Sequence, residues 1–331
     1  MLSLNSLLNL EDSSNIYSAD IKKDSEICLP VTSKSCVHFF SLENHNLIKT
    51  VILDNLKPDI AIYLDSENVL IGCQDSSPPI IISKKNYIDI IKLPIYGCFP
   101  TSFKKSPNGT IFLGNLQGNP FLYQDNIAKE IDLDTSSTYD CLWINNEYLL
   151  VSCIKDSTIK LVELKGESSR IIQTLEVFYP YRFSPVFNNK VLLTSRGWTN
   201  RPGRVYLLSI DFLGDGDELV PSVQILNEII IPQRLFRLQR RLPSCLLNLN
   251  GFEKYNGYIN DVCWWDDENF VVTTRTGNAM LLIDLEGKIK DIFRMKMFRP
   301  TRFVSTRLPN ERIIFLDAFQ ARVFELRKTI S

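Results

Sequence analysis

The chain has 331 residues, 44% of them hydrophobic and 23% charged, an ordinary globular composition with enough length for one large domain or two average ones. Its formal net charge of -1 hides an asymmetry: residues 1–165 carry 14 lysines and no arginine against 20 acids, whereas residues 166–331 carry 23 basic residues against 18 acids, with all 17 arginines at or after Arg170. Any anionic partner is therefore expected to meet the second half, and the lack of any run of 18 uninterrupted apolar residues excludes a transmembrane helix.

The first stretch, "MLSLNSLLNLEDSSN", has no basic n-region, no apolar run of seven and no small-residue cleavage pattern. It does not read as a signal peptide, and an intracellular protein of cytoplasm or nucleus is expected. Eight cysteines (Cys28, Cys36, Cys73, Cys98, Cys141, Cys153, Cys245 and Cys263) form no CxxC pair, and most sit inside apolar runs such as "VLIGCQ" and "LLVSC". Buried reduced thiols are the simplest reading.

After residue 15 the chain repeats one grammar. The runs "DIAIYLD", "ENVLIGCQ", "PPIIISKK" and "YIDIIKL" cover 59–93; "TSFKKSP", "GTIFLGN", "NPFLYQD" and "AKEIDL" cover 101–133; "YDCLWIN", "EYLLVSCIKD", "STIKLVEL" and "RIIQTLEV" cover 139–177. Each run is rich in β-branched and aromatic residues, and each gap holds turn chemistry. Asn108-Gly109-Thr110 matches a glycosylation sequon, but Asn-Gly in "SPNGTIF" is the turn pair of a hairpin. "VCWWD", "NFVVTT", "AMLLIDL" and "KIKDIF" form a later copy, in which neighbouring Trp264 and Trp265 point to opposite faces of a strand.

Register supports the repeat. Pro58, Pro100, Pro180 and Pro300 each open a first strand, at separations of 42, 80 and 120 residues, and a strand's first residue is where proline loses no ladder hydrogen bond. Four-stranded units of about 40–45 residues mark a β-propeller. Strands such as "VLIGC", "IIIS" and "FVVTT" are apolar at nearly every position, as expected where blades stack on both faces. Seven blades are counted, near 15–53, 57–94, 99–133, 139–177, 180–231, 258–296 and 300–328; the last has three strands, and residues 2–10 are expected to supply its fourth and close the ring. The expectation is an all-β, seven-bladed β-propeller forming a single domain over 1–331.

The third strands end on Leu42-Glu43, Val162-Glu163, Ile283-Asp284 and Phe324-Glu325, where WD40 repeats carry Trp-Asp. The chain thus resembles the WD40-like propeller superfamily across nearly its whole length, with acids retained, the tryptophan absent and no Gly-His pair before any blade. The resemblance implies protein-protein binding within complexes.

Two segments break the period. In 232–257, "PQRLFRLQRRLPSCLLNLNGFEKYNG", Leu235, Leu238 and Leu242 fall at helical spacing between Pro232 and Pro243. Arg234, Phe236, Arg237, Arg240 and Arg241 are its candidate docking residues, and a linker helix packed on the rim is the plainer alternative. The loop "SRGWTNRPGRVY" lengthens a hairpin of the fifth blade and presents Arg196, Trp198, Arg201 and Arg204, residue types favoured at interface hot spots. Arg302 of the last blade joins these candidates.

Catalytic chemistry is sparse. Of the two histidines, His38 lies in a third strand and His45 in a turn, neither at ligand spacing from a cysteine or the other histidine. The acid groups at 215–218 and 266–268 read as solvated turns, and no P-loop, nucleophile elbow or dinucleotide fingerprint occurs. No catalytic residue, metal site or cofactor is expected, and the chain is read as not an enzyme. The expected function is a non-catalytic scaffold that binds protein partners in a complex through rim, face and insertion. The alternative is recognition of an anion (phosphoinositide, nucleic acid or phosphopeptide) by the arginine-rich second half. "LFRLQRR" only loosely resembles the Phe-Arg-Arg-Gly motif of phosphoinositide-binding propellers.

Overall fold

The computed structural model describes residues 2–9, 16, 18–22, 25–166, 168–197, 202–214, 219–231, 259–274, 279–294, 300–308, 312–317 and 322–328. The insertion 232–257, with its expected helix, lies outside them. Among the described residues, twenty-eight strands form seven four-stranded antiparallel sheets.

The first strand, β1 (Leu2–Asn9), belongs to the last sheet. Blade 1 is β2 (Asp20–Lys22), β3 (Glu26–Val31), β4 (Cys36–Ser41) and β5 (Leu47–Ile52). Blade 2 is β6 (Pro58–Tyr63), β7 (Asn68–Cys73), β8 (Ile80–Ser83) and β9 (Ile90–Lys92). Blade 3 is β10 (Pro100–Lys105), β11 (Ile111–Asn115), β12 (Phe121–Gln124) and β13 (Ile127–Glu130). Blade 4 is β14 (Cys141–Trp143), β15 (Tyr148–Cys153), β16 (Thr158–Lys165) and β17 (Ser168–Glu176). Blade 5 is β18 (Pro180–Phe183), β19 (Lys190–Ser195), β20 (Arg204–Leu213) and β21 (Val220–Ile230). Blade 6 is β22 (Ile259–Trp264), β23 (Asn269–Thr274), β24 (Ala279–Asp284) and β25 (Ile289–Arg294).

The expected seven blades need correcting to six complete ones, each made from one contiguous stretch of chain. The remaining sheet is composite: β26 (Pro300–Leu308), β27 (Arg312–Asp317) and β28 (Arg322–Lys328) are joined by β1, which pairs antiparallel with β28 from Leu2↔Lys328 to Asn9↔Arg322. Its physical cause is an edge. Three strands leave the outer side of β28 with unmatched backbone groups, and β1 supplies the ladder.

Burial explains the apolar runs. The second strands β3, β11 and β15 are buried at every residue, and β7, β19 and β23 at every residue but the first. Outer strands such as β9 and most of β5 are exposed. Seven apolar clusters lie between neighbouring sheets; the one that packs Ile16, Ile27 and Leu29 against Ile314, Leu316 and Val323 joins blade 1 to the composite sheet and so completes the ring. Trp264 belongs to the cluster facing blade 5 and Trp265 to the one facing the composite sheet.

One turn recurs between first and second strands. Asp65 Oδ1 accepts from the N–H groups of Glu67 and Asn68, Asn145 Oδ1 from those of Glu147 and Tyr148, and Asp266 Oδ1 from those of Glu268 and Asn269, all at 2.6–3.0 Å. These side chains mimic a backbone turn, which is why "DSEN", "NNEY" and "DDEN" stand at the same place in blades 2, 4 and 6. The Asn108 turn has the same logic, with Gly109 at φ +94°.

Candidate functional site

Inner strands all begin on one face of the ring, which therefore also carries the hairpins between second and third strands. The loop after β19 is one of these. Arg196 N–H donates to Tyr179 O at 3.1 Å, and Ile231 N–H donates to Gly203 O at 3.1 Å. The second bond sets Ile231, the last described residue before the 232–257 insertion, beside Gly203 near the end of the Arg196–Arg204 loop on blade 5.

Of the candidate residues, Arg196 and Arg204 have described side chains, each half-buried against an aromatic ring. The Arg196 guanidinium lies 5.3 Å from the Tyr181 ring centroid; that of Arg204 lies 5.9 Å from Phe178, with Nη1 bonded to Glu228 Oε1. Arg302 occupies β26 opposite Leu316. Trp198, Arg201, Arg234, Phe236, Arg237, Arg240 and Arg241 lie outside the described residues.

A second feature was not singled out from sequence. A cavity of about 320 Å³ lies where the inner strands of blades 1–6 converge on the ring axis. Its apolar wall includes Ile62, Phe103, Leu142, Trp143, Phe183 and Val262, and its charged groups are Asp20, Lys104, Lys105, Asp140, Arg182 and Asp261. Three of these share one register position: Asp140, Arg182 and Asp261 directly precede Cys141, Phe183 and Val262, which pair with Val151, Leu193 and Val272 of the second strands. Hydroxyls fix the backbone there. Ser152 Oγ accepts from Asp140 N–H at 2.9 Å, and Thr194 Oγ1 accepts from Arg182 N–H at 3.0 Å.

The cavity charges also tie blades together. Asp20 Oδ2 accepts from Tyr63 N–H at 2.7 Å, and Asp140 Oδ2 from Phe183 N–H at 3.1 Å, each from one blade to the next. Lys105 Nζ donates to Leu64 O, and Lys104 Nζ stands 3.7 Å from Asp140 Oδ1. Trp143 and Trp264, in equivalent positions, each donate Nε1–H back to the preceding blade, to Lys104 O at 3.0 Å and Pro185 O at 3.2 Å.

Arg182 is the centre of this layer. Its guanidinium is 5.4 Å from the centroids of both Tyr139 and Tyr181, whose rings stack at 4.0 Å with their hydroxyls hydrogen-bonded. Such cation-aromatic contact strengthens as water is excluded. Burial opposes the guanidinium's charge, but neighbouring Tyr139, Asp261, Tyr181 and Asp140 outweigh it and hold the group firmly protonated. Burial, followed by the Tyr181 neighbour, pushes the Tyr139 hydroxyl up.

Nucleophiles and ligands elsewhere are built into packing. Seven cysteines are free and buried, and burial pushes the Cys73 and Cys98 thiols up to about 12, far from reactive thiolates; Cys245 lies outside the described residues. His38 is held by Thr50 Oγ1 at 2.8 Å in β4. Among the described residues no group of three or more His, Cys, Asp or Glu side chains is placed to hold a metal ion, and no helix is long and apolar enough to cross a membrane. The acid turn at 266–268 is the hydrogen-bonded turn of Asp266, and 215–218 lies outside the described residues.

No family model matches the chain, and no curated protein matches it in sequence. Solved structures match in shape. Virginiamycin B lyase from Staphylococcus aureus is 12% identical, with 99% of this chain and 100% of that one covered and a TM-score of 0.74. The WD40 β-propeller domain of Doa1 is 13% identical, covers 99% and 98%, and gives 0.69. The β-propeller domain of Cps50 (Swd1) from Myceliophteria thermophila is 9% identical, covers 99% and 100%, and gives 0.71.

A lyase among these neighbours corrects the expectation that the chain is not an enzyme. That expectation rested on absent sequence motifs, but chemistry depends on side chains assembled in a site, and this fold carries it in the lyase. At such low identity the likeness extends to the fold alone: the chain has the β-propeller fold shared by WD40 domains and these lyases.

Proposed function

We propose that the chain is a protein-interaction scaffold, a subunit of a multiprotein complex, that docks its partner on the face where the inner strands begin. The observation that carries this reading is the Ile231 N–H to Gly203 O bond, which sets the last described residue before the insertion beside Gly203 near the end of the Arg196–Arg204 loop. Loops held by a rigid scaffold are the usual carriers of binding. The WD40 neighbours are consistent with such a role.

Anion recognition by the basic second half is supported less well, because Arg196 and Arg204 are engaged with Tyr181, Phe178 and Glu228. The lyase reading draws on a structure of a catalytically inactive histidine-to-alanine variant with quinupristin, and neither histidine of this chain lines the axial cavity.

Crosslinking of the native complex tests the docking face. Exposed Lys34, Lys57 and Lys155 lie on the proposed face, in hairpins or connections leading to inner strands, and exposed Lys85 and Lys288 lie on the opposite one. Partner crosslinks are expected on the first three. A set confined to Lys85 and Lys288 overturns the assignment.

A further inference from the structure

We propose that the axial cavity is a binding site for a small zwitterion of the α-amino acid class, with the ligand's carboxylate on Arg182 and its ammonium on Asp140.

Two buried polar atoms on the cavity wall have no hydrogen bond. Arg182 is 9% exposed and lines the cavity, and its Nη1 has no hydrogen-bond partner among the described residues. Asp140 is fully buried and also lines the cavity; its Oδ2 is used by Phe183 N–H, while Oδ1 has no hydrogen bond, Lys104 Nζ being 3.7 Å away. A buried polar atom without a hydrogen bond is costly, so two such atoms of opposite kind on one wall call for something to complete them. They stand at the same register position of adjacent inner strands and therefore face the cavity at one level.

Charge balance then selects the ligand. Among the described lining residues, Lys104, Lys105 and Arg182 match Asp20, Asp140 and Asp261 in number, and the open donor on Arg182 is separate from the open acceptor on Asp140. A simple anion would meet the carboxylates on both sides of Arg182, and a simple cation would meet Lys104 beside Asp140. A net-neutral molecule with an acceptor and a donor on neighbouring atoms answers both groups, and a carboxylate is the natural mate of a guanidinium fork. The ligand's side chain would lie against Phe103, Leu142, Trp143 and Phe183, which favours an apolar amino acid. At about 320 Å³ the cavity is at the small end of the range for such pockets.

Calorimetric titration of the full chain with L-leucine and L-phenylalanine tests this, with N-acetyl-L-leucine, lacking the ammonium, and L-leucinamide, lacking the carboxylate, as paired probes. The free amino acids are expected to bind at least about tenfold more tightly than either capped form, a difference set by the loss of one charged pair. Asp140→Asn retains an acceptor for Phe183 N–H and should erase the preference for L-leucine over N-acetyl-L-leucine. Arg182→Gln should abolish binding with the circular dichroism spectrum unchanged; where it unfolds the chain, Asp140→Asn decides alone. No binding of either amino acid, equal binding of the capped forms, or an unaltered preference in Asp140→Asn overturns the proposal.

Discussion

Tyr63 of β6 donates its hydroxyl hydrogen to Glu26 Oε1 of β3 at 2.6 Å, and Lys84 Nζ reaches the same carboxylate at 2.6 Å, so two groups of blade 2 hold one buried acid of blade 1. Tyr63 is 7% exposed and Glu26 9%. Removing one partner leaves a charge stranded. Lys84→Met is expected to cost about 3–5 kcal/mol and Tyr63→Phe about 1–3 kcal/mol in urea unfolding. The double variant should depart from the sum of the two, because both act on one carboxylate. Additive effects would mean the three groups do not form a unit.

The two blade-linking tryptophans make a matched pair. Trp143→Phe and Trp264→Phe each keep most of the ring's packing and delete one N–H bond to a carbonyl of the preceding blade. Each is expected to lower stability by about 1 kcal/mol, seen as a lower urea midpoint at unchanged m-value. A loss at Trp264 alone would show that the equivalence of the two positions has no energetic meaning.

Gly72 marks a close approach of blades 2 and 3. A Cβ there would lie 2.7 Å from Phe103 Cζ and 2.8 Å from Pro100 Cγ, whereas at Gly118 the nearest atom would be 3.4 Å away. Gly72→Ala should therefore destabilise by about 1–3 kcal/mol and Gly118→Ala by less than about 0.5 kcal/mol in thermal or urea unfolding. Equal effects would contradict the packing.

Burial, reinforced by Lys34, holds the His38 ring below its ordinary value of 6.5. The unfolded chain then binds the proton more readily than the folded one. This contribution to stability is present above pH 6.5 and is lost as pH falls through the lower folded value. Unfolding midpoints should drop between about pH 7 and 5, and His38→Gln should flatten that part of the profile. An unchanged slope in the variant would place the proton uptake elsewhere.

Much of the architecture was legible in the chain. Fully apolar second strands such as "YLLVSC" and the prolines opening β6, β10, β18 and β26 are local marks of a strand buried on both faces and of its first residue. The recurrent Asx turns at Asp65, Asn145 and Asp266 carried the same period in fewer residues. The axial site was hidden for a physical reason. Asp140, Arg182 and Asp261 are 42 and 79 residues apart and differ in charge, so only aligning inner strands through their bulged register brings them to one level. "YDC", "YRF" and "NDV" held that alignment once Tyr139 was matched to Tyr181. For Arg196 and Arg204, composition offered hot-spot residue types but could not show their neighbours, the Tyr181 ring for one and Phe178 with Glu228 for the other.

The docking face is tested most directly by capture from the native source with tagged chains compared in parallel. One carries Arg237, Arg240 and Arg241 changed to Glu in the insertion, and a control carries Lys85→Glu and Lys288→Glu on the opposite face. The account predicts that partners recovered with the unaltered chain are lost from the insertion variant and kept by the control. Equal recovery with the insertion variant, or loss confined to the control, would contradict it.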